Sequence, residues 1–104
     1  MYGLIGKFTA SSGRREALME LLLEASRDMP GCLSYVVAAD LHDADVIWVT
    51  EVWESEQAHE RSLALPAVRQ AVERGRSWIA DMEQPQLTRP VGGVGLPPQP
   101  GSAP

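Results

Sequence analysis

Residues 46–54 read VIWVTEVWE. β-Branched and aromatic side chains dominate the run, the composition of a strand. Alternate side chains of a strand face opposite ways. Ile47, Val49, Glu51 and Trp53 therefore share one face, and Val46, Trp48, Thr50, Val52 and Glu54 share the other. Both faces carry large apolar groups, and such a strand is normally covered on both sides. One small helical layer covers a single face, so a second copy of the chain is the expected cover for the other.

Working outward, Leu41-His42-Asp43-Ala44-Asp45 is a polar turn. It joins this strand to another over 31–40 (GCLSYVVAAD) as an antiparallel hairpin. Before it, Leu18, Leu21, Leu22, Ala25 and Met29 recur at three- and four-residue steps, predicting a helix over 13–29. Met19 and Leu23 add a second apolar strip, Ser11, Ser12 or Gly13 supplies the cap, and Pro30-Gly31 supplies the stop. Residues 2–9 form a first strand. Downstream, Ser55 caps a helix and Pro66 offers a second start. Ala67, Val68, Ala71 and Val72 make that helix's apolar stripe, and 78–80 adds one further turn. Residues 82–89 read as a fourth strand, weakened by Pro85. The order β-α-β-β-α-β is the ferredoxin-like pattern of the α+β class. Its two helices cover one face of a four-stranded antiparallel sheet and leave the other for a partner.

A single domain of 1–89 accounts for most of the 104 residues. Residues 90–104 (PVGGVGLPPQPGSAP) are Gly or Pro at nine of fifteen positions and read as a tail. With 44% hydrophobic and 22% charged residues, the composition is that of an ordinary globular protein. The net charge is -5, and the nine basic residues are dispersed, so no nucleic-acid partner is expected. No apolar run approaches the ~20 residues of a membrane span, and no secretory leader is apparent. The expectation is a cytoplasmic protein away from membranes.

Cys32, the single cysteine, makes neither an intramolecular disulfide nor a cysteine zinc site. It reads as a small hydrophobe. His42 and His59 lie far apart, and no metal site is expected. Glu51 puts a carboxylate on an otherwise apolar strand face. It reads as a general base or hydrogen-bond acceptor in a pocket, or as a structural ion pair with an arginine. His59, one turn into the helix after the strand, offers imidazole chemistry or is a partly exposed helix residue. Tyr35, Trp48, Trp53 and Trp78 are candidate walls for a flat aromatic ligand, or core residues.

Two segments carry a resemblance. Glu51-Val52-Trp53-Glu54-Ser55, with Ala58 three residues on and Pro66 beyond, closes a strand and opens a helix. Pro30-Gly31-Cys32, with Tyr35 three residues on, follows an amphipathic helix. Over about residues 1–89 the chain resembles the antibiotic biosynthesis monooxygenase family, in particular its small quinol monooxygenase-like members. The resemblance implies a dimeric α+β barrel, two sheets face to face, with a pocket between sheet and helices in each subunit. It also implies oxidation of a small aromatic substrate, a quinol or anthrone, by O2 without flavin, haem or metal. His59 and Glu51 would be the catalytic residues, with Tyr35, Trp53, Trp48 and Trp78 around the substrate. A non-enzymatic dimeric binding module for a small aromatic metabolite is the alternative. Many members carry histidines where this chain has Ser62 and Ala67. The positions matching the haem-handling residues of haem-degrading relatives are Gly6, Ser62 and Val72, so haem degradation is not expected.

Overall fold

The segment rich in β-branched and aromatic residues forms β3 (Val46–Trp53), paired with β2 (Cys32–Ala39) on one side and β1 (Tyr2–Ala10) on the other. In the computed structural model residues 1–97 are described, so 98–104 of the expected tail lie outside the described residues. The remaining elements are α1 (Arg15–Ala25), α2 (Glu56–Ser62), α3 (Pro66–Gly75), a 3₁₀ turn at Arg76–Trp78, β4 (Ile79–Met82) and β5 (Gln86–Thr88). The sheet is antiparallel with order β2-β3-β1-β4, and β5 pairs with β1 on the same side as β4. This is the α+β, ferredoxin-like arrangement expected from the sequence.

The alternation in β3 sorts the sheet into two faces. Ile47, Val49 and Trp53 are essentially fully buried beneath the helices. Ala10, Leu18, Ile47 and Val49 form one core cluster, with Phe8, Met19, Leu22, Tyr35, Val37, Trp78 and Ile79 packed against it. A second cluster joins Leu4, Trp53 and Ala58 to Tyr2, Met29 and Cys32. On the opposite face Ile5, Val36 and Trp48 are exposed.

Three expectations are corrected. The first helix runs over Arg15–Ala25, not 13–29. Its N-cap position falls on Arg14, whose side chain has no acceptor to offer, and the Ser11 hydroxyl donates to the Ser77 carbonyl at 3.3 Å. Its end comes at Ser26, whose hydroxyl donates to the Leu23 carbonyl at 3.1 Å. Met29 keeps its place in the apolar pattern because it packs, from the connecting loop, against the cluster of Leu4, Trp53 and Ala58. Second, the further turn expected at 78–80 ends at Trp78, and Ile79 already belongs to β4. Third, the fourth strand is two short pieces. Phe8 faces Met82 and Ile5 faces Gln86, with Pro85 between them. Proline has no N–H to give the ladder, so pairing lapses there.

Two glycines mark close approaches. Gly75 ends α3 against α1, and a Cβ there would lie 3.1 Å from Leu21 Cδ2. Gly31 has φ +83°, and a Cβ there would lie 2.7 Å from the Ala58 Cβ. It sets how closely the start of β2 approaches α2. Arg15 ties α1 to the β2–β3 hairpin. Its guanidinium Nη1 donates to the carbonyls of Asp43 at 2.8 Å, Asp40 at 3.2 Å and Val46 at 3.4 Å.

Candidate active site

Between the helices and the buried face of the sheet lies an apolar cavity of about 570 Å³. Its floor is the sheet. The even positions of β1 contribute Leu4, Gly6 and Phe8, β2 contributes Tyr35, and β3 contributes Glu51 and Trp53. Its roof comes from α1 (Leu18, Leu21, Leu22, Ala25) and α3 (Val68, Ala71, Val72). The short α2 adds His59 and Ser62, and exposed Arg76, Met82, Glu83 and Pro85 form a rim.

Glu51 lies on the cavity face because it alternates with Val49 and Trp53 in β3. It is half-buried, and its partner is not an arginine. The Trp53 indole N–H donates to Glu51 Oε1 at 3.0 Å. Burial raises the Glu51 pKa above the ordinary carboxylate range. The indole hydrogen bond and the nearby His59 oppose that rise without cancelling it. Burial, and then the Glu51 charge, push the Tyr35 phenol well up, so Tyr35 stays protonated through the neutral range. Burial and Glu51 also raise the Cys32 thiol, and Sγ sits 3.6 Å from the Ser34 carbonyl. A thiol held protonated beside apolar neighbours is packing material, not a nucleophile.

His59 is brought in by α2. The Ser55 hydroxyl accepts the Ala58 N–H at 3.1 Å and so fixes where the helix begins. The imidazole lies between two rings, with its centroid 5.4 Å from Trp53, edge to face, and 5.8 Å from Tyr2. The Ser62 hydroxyl, buried in the cavity wall, donates to the His59 carbonyl at 2.6 Å.

The cavity thus brings together Tyr35, Glu51, Trp53 and His59. It does not bring in the other two tryptophans. Trp48 occupies an even position of β3, on the opposite face of the sheet. Its indole donates to Asp40 Oδ1 at 2.8 Å, and Lys7 Nζ lies 5.6 Å from its ring centroid. That hydrogen bond, with the backbone N–H groups of Asp43 and His42, holds the Asp40 carboxyl down at about 2. Trp48 therefore anchors the hairpin. Trp78 sits in the 3₁₀ turn and packs on the cluster around Leu18 and Ile47. Sequence reasoning gave Gly6 and Ser62 no role beyond their alignment with other family members. The available signal was a glycine inside a strand and a serine one turn after a histidine. Among the described residues no group of three His, Cys, Asp or Glu side chains converges as a metal site would require, and no helix is long and apolar enough to cross a membrane.

The raised Glu51 pKa makes a stability prediction. An acid whose folded pKa exceeds its unfolded value favours folding while both states are protonated. Stability is lost as pH rises from the unfolded value, about 4.3, through the folded one. Glu51→Gln keeps an oxygen for the Trp53 N–H and carries no charge. The variant is expected to be more stable than the parent at about pH 8, with the advantage shrinking toward about pH 4.5. Urea midpoints at both pH values check this, and a pH-independent difference contradicts it.

An open-faced ferredoxin-like sheet with an aromatic-walled cavity under its helices defines a small-molecule-binding α+β domain. The chain belongs to the antibiotic biosynthesis monooxygenase family, whose sequence profile matches residues 1–74. Solved structures agree. A candidate antibiotic biosynthesis monooxygenase from Chloroflexus aurantiacus J-10-fl is 52% identical with a TM-score of 0.89. That match covers 92% of this chain and 98% of that one. Another so described, from Deinococcus radiodurans, is 28% identical with a TM-score of 0.75, covering 90% and 96%. A Pseudomonas aeruginosa protein, PA3566, shares the fold at 23% identity and a TM-score of 0.76, covering 88% and 94%. No curated protein matches the chain. The family and the first two of these neighbours support a generic monooxygenase-like function.

Proposed function

We propose that the chain is a cofactor-independent monooxygenase that oxidises a quinol- or anthrone-like aromatic with O2 in this cavity. The observation that carries the reading is the meeting of Glu51 and His59 in an apolar cavity walled by Tyr35 and Trp53. Loss of a proton from an electron-rich phenol or anthrone leaves a phenolate or carbanion. That anion passes one electron to O2, and the radical pair combines to a carbon-bound peroxide. Loss of water then leaves a carbonyl. For an anthrone the net change is CH2 plus O2 to C=O plus H2O, with all four electrons supplied by the substrate. His59 accepts the proton, with the Glu51 carboxyl in the same cavity. Tyr35 and Trp53 hold the ring, and the apolar walls keep water from the anion. The homodimer belongs to the same reading, with the open sheet face bearing Ile5, Val36 and Trp48 as the contact.

The test is O2 uptake by purified, metal-free protein over a panel of quinols and anthrones. Uptake that depends on both protein and substrate is expected. Ligand binding without O2 consumption would replace this reading with that of a binding module for a small aromatic metabolite. Light scattering of the same preparation at micromolar concentration is expected to give a dimer, and a monomer contradicts that part.

A further inference from the structure

Gly6 has no structural reason to be glycine. It lies in the middle of β1, in register with Val49. It is not among the glycines with positive φ. A Cβ there would meet Phe8 Cε2 at 3.8 Å and the Val49 carbonyl oxygen at 3.9 Å, ordinary van der Waals contact. Gly31 and Gly75 differ in this respect, since a Cβ at either would crowd a neighbour. Glycine inside a strand weakens it by leaving the chain more freedom to lose and no side chain to pack. At Gly6 that cost has no return in packing or turn geometry.

The return lies in the cavity. Gly6 shares its face with Leu4 and Phe8, and all three line the floor. Leu4 stands opposite Glu51 in the β1–β3 register, so the bare patch lies about 7 Å along the strand from the row holding that carboxylate. A side chain at position 6 would fill the floor at its middle. Its absence exposes flat peptide backbone bordered by apolar walls. The cavity, at about 570 Å³, falls in the ~300–1,000 Å³ range of sites for drug-sized ligands, more than one ring fills.

We propose that Gly6 is a specificity-determining residue, and that the flat floor it leaves selects a fused, three-ring aromatic of the anthrone class over a single-ring quinol. The inference rests on the aromatic-oxidation reading for its substrate chemistry. Its test is made by binding, so the two can fail separately.

Anaerobic titrations of anthrone and methylhydroquinone, followed by tryptophan fluorescence, give Kd values for the parent, Gly6→Ala and Gly6→Val. The parent is expected to bind anthrone more tightly. The ratio of the anthrone Kd to the methylhydroquinone Kd is expected to rise by about tenfold or more in Gly6→Val, and by less in Gly6→Ala. Tm is expected to rise by roughly 2–6 °C in Gly6→Ala, because the strand gains a side chain at no steric cost. If Gly6→Val does not fold, Gly6→Ala decides by the same ratio. An unchanged ratio overturns the proposal, as does a parent that prefers methylhydroquinone or binds neither ligand. Tight anthrone binding that responds to position 6, without O2 uptake under aerobic conditions, upholds the role of Gly6 while removing the oxygenase reading.

Discussion

Replacing His59 with alanine is expected to lower substrate-dependent O2 uptake by about 10²–10⁴-fold, the usual contribution of a positioned proton acceptor. In the proposed reaction the imidazole takes the substrate proton. Glu51 is itself half-buried and shares a hydrogen bond with the Trp53 indole, so it is poorly placed to act alone. The fold should survive the change. His59 is only partly buried on a short helix, and alanine is the best helix former. What it loses is ring contact with Tyr2 and Trp53, worth about 0.5–1.5 kcal/mol. Steady-state uptake and a thermal melt on one preparation separate the two effects. Partial rescue by added imidazole would tie the loss to the missing ring. Unchanged uptake would remove His59 from the mechanism.

Trp53→Ala is expected to be the most destabilising single truncation in the site. The side chain is 1% exposed and joins the floor of the cavity to Leu4, Ala58 and Met29. Emptying such a position costs about 3–5 kcal/mol. Loss of the indole N–H also leaves the Glu51 carboxylate without its donor, at a further cost of about 1–3 kcal/mol. Against a total stability of roughly 5–15 kcal/mol, that removes a large part of the folding free energy. Trp53→Phe keeps most of the ring volume but not the donor, so the difference between the two variants isolates the packing loss. Guanidinium denaturation at neutral pH gives both numbers. A loss under about 1 kcal/mol for Trp53→Ala would mean that the indole does not hold the floor of the cavity together.

The main architecture was legible because β3 carries it. A two-residue period with bulky groups on both faces identifies a central strand, and the structure buries its Ile47, Val49 and Trp53 face. The hairpin turn and the Ser55 cap then place its neighbours. The same period put Glu51 on the face of Trp53, and the structure keeps both in the cavity wall. It also put Trp48 on the opposite face. Treating every tryptophan as a wall candidate set that geometry aside, and Trp48 proved to be bound to Asp40 outside the cavity. Trp78 was harder, because a three-residue 3₁₀ helix is a single turn, too short to show a period. The overlong first helix came from Met29, whose apolar character serves packing from a loop. Gly6 was hidden for the opposite reason. A cavity is made partly by what is missing, and pattern reading registers side chains.

The break between β4 and β5 bears on how the protein behaves among its neighbours in concentrated solution. A long, straight outer strand offers unpaired N–H and C=O groups as a template for foreign chains, the first step toward insoluble aggregates. Here the border on the β4–β5 side is two short pieces, one of four residues and one of three. Pro85 interrupts them, exposed Asp81 sits in the first, and Glu83 follows it, held by Lys7 Nζ at 3.3 Å. No stretch of that border is long enough, or neutral enough, to recruit another strand. The proline that weakened the fourth strand also guards that border of the sheet against strand addition.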